Sequence, residues 1–405
     1  MKIINLQKKL DKKTFEAIEI CINIANFSNI DIFLVGGIVR DILLNKPLKD
    51  IDITVVGNAK QFVEILDCYI PLKNVKFNDN LPTAKVIFKN GIEIDFASTR
   101  KEIYDNFGEL PRIIQTGCSL KEDILRRDFT INTLAISLNS NSLFQVFDFV
   151  SGLEDLKNKN LKILHKNSFY DDPSRMIRGL KFAERFDFNL DEESLILQNK
   201  YLDNPIQNIP LERVKNEIKD LFSLNKKSCF DNFIKQNLYK LFISEYKLNI
   251  SGQNIKDAIF DFDINDEDIW LLYFLPLFVF ENPSSKMNLS SREKKIIKEV
   301  QNFINDKPLL EDDFSIYNYF IKKDYLSVVM YSILVNSIVT KRFFKIRKVK
   351  IAITGSDLKE LGFVQGKIYS KIQEDVLKEK LKNNVKSKED EINFIKEKYG
   401  IKGEG

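Results

Sequence analysis

Hydrophobic and polar residues alternate in short runs through the first third of the chain, and the period then changes. Ile32–Val35 is an unbroken apolar run stopped by Gly36-Gly37, which reads as a buried strand entering a tight turn. Residues 38–44 follow with helical spacing and are stopped by Asn45 and Pro47. Further strands are predicted at 50–56, 85–88, 92–97 and 134–138. From about residue 160 onward the period is mostly that of amphipathic helices. The pattern therefore predicts an α+β head followed by a long all-α remainder. The apolar run 269–280, interrupted by Pro276, is too short for a membrane span and reads as a buried helix.

In the predicted strand 50–56, Asp50, Asp52 and Thr54 share one face while Ile51, Ile53 and Val55 share the other. Carboxylates at i and i+2 stand roughly 6–7 Å apart at the backbone. Their repulsion is on the order of 2–3 kcal/mol at an effective dielectric near 20, and Asp is a poor strand former. The plain alternative is an exposed strand whose acids face water. The other reading places a cation there, and Mg²⁺ held by two carboxylates and a triphosphate suits an all-oxygen ligand set. The preceding turn favours the second reading. Gly36 and Gly37 let backbone N–H groups approach a phosphate closely, and Arg40 offers a planar cationic fork.

A third carboxylate is expected from Glu93 or Asp95, which share one face of the strand 92–97, and Asp95 is the favoured one. Ser119 with Glu122 is a capping-box pattern opening a helix. It leads into Arg126-Arg127-Asp128 and Asn132, where the arginine can pair with triphosphate oxygens and Asp128 and Asn132 can test for ribose hydroxyls; a surface ion pair is the simpler reading. In Tyr170-Asp-Asp-Pro-Ser-Arg175, Asp172 before Pro173 reads either as a helix cap or as half of a base-reading pair with Arg175. Asp172 accepts and Arg175 donates, which matches the amine and ring nitrogen that cytosine and adenine both present. The reversed edge of uracil or guanine would leave buried groups unpaired, a mismatch that can cost roughly 10⁴-fold. Arg178 and Lys181 continue the same polar row at spacings of three.

Net charge of +4 and a pI near 8.5 are compatible with a polyanionic partner without requiring one. A single histidine, His165, excludes multi-histidine metal centres and leaves carboxylate chemistry. Cys21, Cys68, Cys118 and Cys229 are scattered and fit a reduced cytoplasm, and the start of the chain lacks the apolar core of a secretory signal. The acidic stretch 257–268 reads as a solvated face, whereas the stretch 341–350 interleaves basic and aromatic residues that could hold an RNA backbone.

Taken in order, Leu34-Val-Gly-Gly-Ile-Val-Arg-Asp41 with Asp50-Ile-Asp52, Arg126-Arg-Asp-Phe-Thr-Ile-Asn132, Asp148-x-x-x-Gly152-x-x-Asp155-Leu156, Asp171-Asp-Pro-Ser-Arg175 and Leu211-Glu-Arg-Val-Lys-Asn-Glu217 resemble the bacterial class II tRNA nucleotidyltransferases. The related poly(A) polymerases share these motifs, within the polymerase-β-like nucleotidyltransferase superfamily. The resemblance implies a catalytic head over 1–147, a base-reading helical neck over 148–222, a helical body over 223–330 and a tRNA-binding tail over 331–405. It implies that Asp50 and Asp52 bind Mg²⁺, with Asp95 as the third catalytic acid. It also implies that Gly37, Arg40 and Arg127 contact the nucleotide, that Asp172 and Arg175 form the template for CTP and ATP, and that Arg178 and Lys181 lie near the phosphates. Asp171 stands where many relatives have glutamate, and Lys181 where most have arginine. The expected partners are the tRNA 3′ end, CTP and ATP, with no membrane and no protein partner. Complete CCA addition is the first expectation, because the segment Arg100 to Cys118 is about as long as the loop that complete enzymes have in common. CC-only, A-only and poly(A) addition are the alternatives.

Overall fold

The computed structural model describes residues 2–78, 80–206, 209, 211–281, 287–306, 310–335 and 338–400. Its chain divides into two compact units, Met1–Leu221 with Lys235–Leu241, and Phe222–Ile234 with Phe242–Gly405.

The first unit opens with helix α1 (Lys12–Ser28), whose N-cap Asp11 accepts a hydrogen bond from the Thr14 amide. The strands that follow are β1 (Ile32–Val35), β2 (Asp52–Val55), β3 (Asn74–Phe77), β4 (Thr83–Ile87), β5 (Glu93–Ser98), β6 (Arg100–Ile103), β7 (Arg112–Thr116), β8 (Ala135–Ser137) and β9 (Val146–Phe147). Seven of these form one mixed sheet in the order β3-β4-β5-β2-β1-β8-β9, while β6 and β7 make a separate antiparallel hairpin. Between them lie α2 (Gly37–Leu43), α3 (Ala59–Tyr69) and α4 (Leu120–Leu125).

The two faces of the sheet differ because the side chains do. Ile53, Val55, Ile94 and Phe96 are buried, and the Phe96 ring lies 5.5 Å from that of Phe62 on α3. By alternation, Asp52, Thr54 and Asp95 take the opposite face. β2 pairs in parallel with β5 and antiparallel with β1, so it occupies the middle of the sheet. It begins at Asp52 rather than at residue 50: Asp50 lies before the first register pair and is exposed. β3, β6, β7 and β9 carry too few apolar residues to announce themselves, and the sequence reading missed them.

After the sheet come α5 (Gly152–Asn158), α6 (Ser168–Asp171), α7 (Ser174–Phe186), α8 (Glu192–Asp203) and α9 (Leu211–Phe222). The Asp148 carboxylate accepts from the Val150, Gly152 and Leu153 amides and so folds the turn into α5. A Cβ on Gly152 would lie 2.3 Å from the Thr130 carbonyl oxygen, so only glycine fits this close approach. Met176, Ile177 and Leu180 of α7 are buried, and Phe182 meets Phe129 edge-on at 5.9 Å.

The second unit is helical. Phe222 packs against Phe233 and Tyr273, each at 5.4 Å between ring centres. Further cores form around Phe303, Phe320 and Phe343, and around Ile353, Leu358 and Ile372. The run 269–280 is buried as expected, but the helix Ile269–Phe274 tightens to a 3₁₀ turn over Leu275–Phe278, where Pro276 has no N–H to donate. Among the described residues no helix is long and apolar enough to cross a membrane. In 341–350, Phe343 is buried and the Phe344 ring lies 3.9 Å from that of Phe262, tilted by 33°, while Lys341, Lys345, Lys348 and Lys350 are exposed.

Candidate active site

The β2–β5 register sets Asp52 directly opposite Asp95. Burial and the neighbouring Asp95 push the Asp52 carboxyl up to about 6, with Arg127 opposing the shift. Asp95 is also raised, first by burial and against the pull of Lys85. Lys85 is the cross-strand partner of Asp95 on β4; its Nζ lies 3.6 Å from Asp95 Oδ2 and 2.5 Å from Glu93 Oε1. Glu93 is thus exposed and paired, whereas Asp95 shares a face with Asp52. Asp50 stands in solvent close enough to raise both. Among the described residues no three or more His, Cys, Asp or Glu side chains close around a single point. An open acidic pair fits a hard ion that keeps waters and substrate phosphates in its shell, and the repulsion that Lys85 and Arg127 leave in place fits a cation.

Asp52 and Asp95 line a cleft of about 760 Å³, with Thr54, Lys85, Arg126 and Arg127 on its wall. Gly36 closes the approach from β1. Its φ of 74° excludes most side chains, and a Cβ there would sit 3.2 Å from Arg127 Nη1 and 3.9 Å from Asp52 Oδ2. Arg127 Nη2 donates to Asp123 at 3.1 Å, while its buried Nε has no partner in the protein. A guanidinium held on one side with a free donor on the other can receive an anion.

The structure brings Asp52, Asp95, Gly36 and Arg127 together, but it takes several other expected residues elsewhere. Arg40 is 3% exposed. It donates to Asp41 and to Asn132 Oδ1 at 2.7 Å and lies between the Phe182 and Phe186 rings. Gly37 approaches this same guanidinium, with a Cβ position 3.4 Å from Arg40 Nη2. Asn132 donates in turn to Asp128, which also accepts from Arg178 Nε. Asp128 and Asn132 are not on an α-helix, since only a 3₁₀ turn spans Thr130–Asn132, yet they meet through this bond. Arg178 and Lys181 both bind Glu217 on α9, and Lys181 also binds Asp220. Each of these charges is engaged inside the unit because a buried or half-buried ion without a partner is costly.

Asp172 is buried, and its two oxygens have different partners. Its Oδ1 accepts from the Ser174 amide and hydroxyl as a cap, and its Oδ2 accepts from Arg213 at 2.5 Å. Arg175 Nε lies 3.9 Å from that same oxygen. Arg175 Nη1 donates to Ser168, and Nη2 to the Tyr104 hydroxyl and the Arg126 carbonyl. Tyr104 follows β6, so the segment 100–118 is a hairpin reaching the Arg175 side chain. Its tip is fixed by a Gly108 amide to Tyr170 carbonyl bond of 2.8 Å. Sequence reasoning missed Tyr104, Lys85 and Arg213. Arg213 lies inside the motif 211–217 quoted for the resemblance, but nothing in its spacing points to Asp172.

Comparison with known proteins bears out the resemblance drawn from the motifs. Residues 32–162 match the sequence family described as the poly A polymerase head domain. An A-adding tRNA nucleotidyltransferase of Geobacter sulfurreducens is 29% identical over 399 residues, covering 89% of this chain and 44% of that protein. A CCA-adding enzyme of Staphylococcus epidermidis is 27% identical over 295 residues, covering 70% of this chain and 68% of that one. The chain therefore spans under half the length of the first of these relatives. A solved structure of a CCA-adding enzyme in an apo form superposes with a TM-score of 0.81 at 24% identity, over 98% of this chain and 100% of that one. The mixed-sheet head followed by helices is the fold of that structure.

Proposed function

We propose that this chain, with its poly A polymerase type of head, is a Mg²⁺-dependent nucleotidyltransferase that adds C, C and A to the 3′ end of tRNA from CTP and ATP. The observation that carries the reading is the Asp52–Asp95 register pair beside Arg127, within one unit that also holds the Asp172–Arg175 pair. The RNA 3′-hydroxyl oxygen attacks the α-phosphorus while its proton passes to the Asp95 carboxylate, the bond to the bridging oxygen breaks, and pyrophosphate leaves. Asp50 and Asp52 would hold Mg²⁺, which would supply charge neutralisation at the reacting phosphate. Arg127 binds triphosphate oxygens through the part of its guanidinium on the cleft wall. Asp172 and Arg175 read cytosine or adenine after the base displaces part of their present bonding.

Arg40, Asn132, Asp128, Arg178 and Lys181 act by positioning: they fix α7 against the sheet and against α9. The division into head, neck, body and tail at 147, 222 and 330, and a cytoplasmic location, belong to the same proposal. A second reading, A-only addition, is favoured by the name of the Geobacter sulfurreducens relative. The test offers the protein a tRNA trimmed of its last three nucleotides and one trimmed only of its A, with Mg²⁺ and each nucleotide singly and together. Addition of CCA to the first substrate supports the primary reading, addition to the second alone selects A-only activity, and no addition to either overturns both.

A further inference from the structure

A charged row runs across four strands of the head sheet. Register pairs Lys76 of β3 with Lys85 of β4, Lys85 with Asp95 of β5, and Asp95 with Asp52 of β2, and all four residues line the cleft. Directly paired residues point to the same face of a sheet, with neighbouring strands about 4.8 Å apart. The adjoining row on that face, Thr83, Ala97 and Thr54, is uncharged.

The acid pair is thereby flanked by two cations, each tethered to a further carboxylate outside the pair. Arg127 at the Asp52 end is held by Asp123 at 3.1 Å, and Lys85 at the Asp95 end by Glu93 at 2.5 Å. The two tethers differ in freedom. Asp123 is buried and fixes Arg127, whereas the Lys85 and Glu93 side chains are 46% and 48% exposed. Lys85 stands 3.6 Å from Asp95, and its four-carbon stem lets the ammonium leave Asp95 while it keeps Glu93. Its field reaches both acids, opposing the upward shift that burial imposes on Asp95 and on Asp52.

That charge acts with opposite sign on the two species the site takes up. A bare divalent ion settling on the carboxylate pair is repelled by Lys85 and must displace it from Asp95. A divalent ion already wrapped in a triphosphate carries net negative charge and is attracted. We propose that Lys85 is a positioning residue that sets the order of loading: it guards Asp95 against free divalent ions, and Glu93 receives it when the ion arrives with the nucleotide. The inference rests on the Mg²⁺ assignment of the acids given above.

The experiment uses the full chain without RNA, so that no transfer occurs. Mn²⁺ alone is titrated by electron paramagnetic resonance, which counts the free ion, and Mg²⁺·ATP is titrated by calorimetry. Lys76, Lys85 and Glu93 are all exposed, so their variants keep the fold. Lys85→Met is expected to tighten Mn²⁺ binding about 5-fold or more and to weaken Mg²⁺·ATP binding about 3-fold or more, while Lys85→Arg keeps both near the wild-type values. Glu93→Gln leaves Lys85 to Asp95 alone and is expected to weaken Mn²⁺ binding about 3-fold, but to change it little once Lys85 is replaced; that non-additivity separates a contact from a diffuse field. Lys76→Met, one strand further along the row, is the control and is expected to change Mn²⁺ binding less than about 2-fold. Unchanged Mn²⁺ binding in Lys85→Met, an equal tightening in Lys76→Met, or a tightening of both ligands together overturns the proposal. If instead Asp52→Asn leaves Mn²⁺ binding intact, the metal assignment itself fails, and that result is read without any Lys85 variant.

Discussion

Asp52 faces Asp95 across neighbouring parallel strands, so two carboxylates share one open face, with Lys85 ion-paired to Asp95 at 3.6 Å and Arg127 as the main opposing charge on Asp52. Such a pair is stable in the fold only at a cost, which the ion-free protein bears in full.

That cost is measurable. The Asp52 carboxyl is raised to about 6 from 3.8, so the folded chain holds this proton more tightly than the unfolded one. The group's contribution to stability is present below pH 4, declines as pH rises to 6 and stays lost above it. Discounted for partial exposure, the loss is about 1–2 kcal/mol. In the presence of a chelator, Asp52→Asn is expected to raise the melting temperature by about 2–6 °C at pH 8 and hardly at all at pH 4. Equal shifts at both pH values would count against the raised carboxyl. The same variant is expected to lose transfer activity.

Gly36 offers a second test. Alanine at this position meets both an unfavourable φ and the Arg127 guanidinium at 3.2 Å. Gly36→Ala is expected to cost about 1–3 kcal/mol and to lower kcat/KM for transfer about 100-fold or more, since Arg127 must move off the cleft. A variant of wild-type activity would show that Arg127 need not stand where it does.

Arg40 is expected to behave as a structural residue. Its guanidinium bonds Asp41 and Asn132 in a buried setting, so Arg40→Ala leaves the Asn132 carbonyl oxygen without its donor and Asp41 with Arg185 alone, and is expected to cost about 3 kcal/mol in denaturant unfolding. If Arg40 instead contacted the triphosphate, the dominant effect would be a raised KM for nucleotide with stability nearly intact.

The acidic pair, the glycine turn and the α7 face were legible because each follows from a short-range period: alternation in a strand, φ at a glycine, spacing on a helix. Asp95 over Glu93 was favoured from the residues and fits the β2–β5 register, which no local pattern displays. The fate of Arg40 was illegible for the same reason. Its motif position suggested an anion contact, but its partners are Asn132, 92 residues away, and rings from α7. Lys85, Tyr104 and Arg213 were missed because their roles arise from cross-strand or long-range pairing. The burial of Phe343 and the packing of Phe344 on Phe262 were not legible either, because helical packing over long range decides which side they face.

Base selectivity is expected to separate Arg175 from Arg213. Arg175 supplies donors that a cytosine or adenine edge can use, and it also bonds Tyr104 and Ser168. Arg213 donates to the opposite partner, Asp172, at Oδ2. Arg175→Ala should therefore retain transfer from ATP but reduce the discrimination against GTP from about 10⁴-fold to below about 100-fold, because no buried donor is then left unpaired by the wrong edge. Arg213→Ala frees one Asp172 oxygen without removing a reading group, so nucleotide selectivity should persist while the KM for ATP changes. Tyr104→Phe is the control for the hairpin: it deletes the hydroxyl that Arg175 meets and leaves the reading pair itself in place. The three variants are compared by kcat/KM for each nucleotide on the same trimmed tRNA. Undiminished discrimination in Arg175→Ala would remove the template role from this arginine and leave Asp172 as a helix cap.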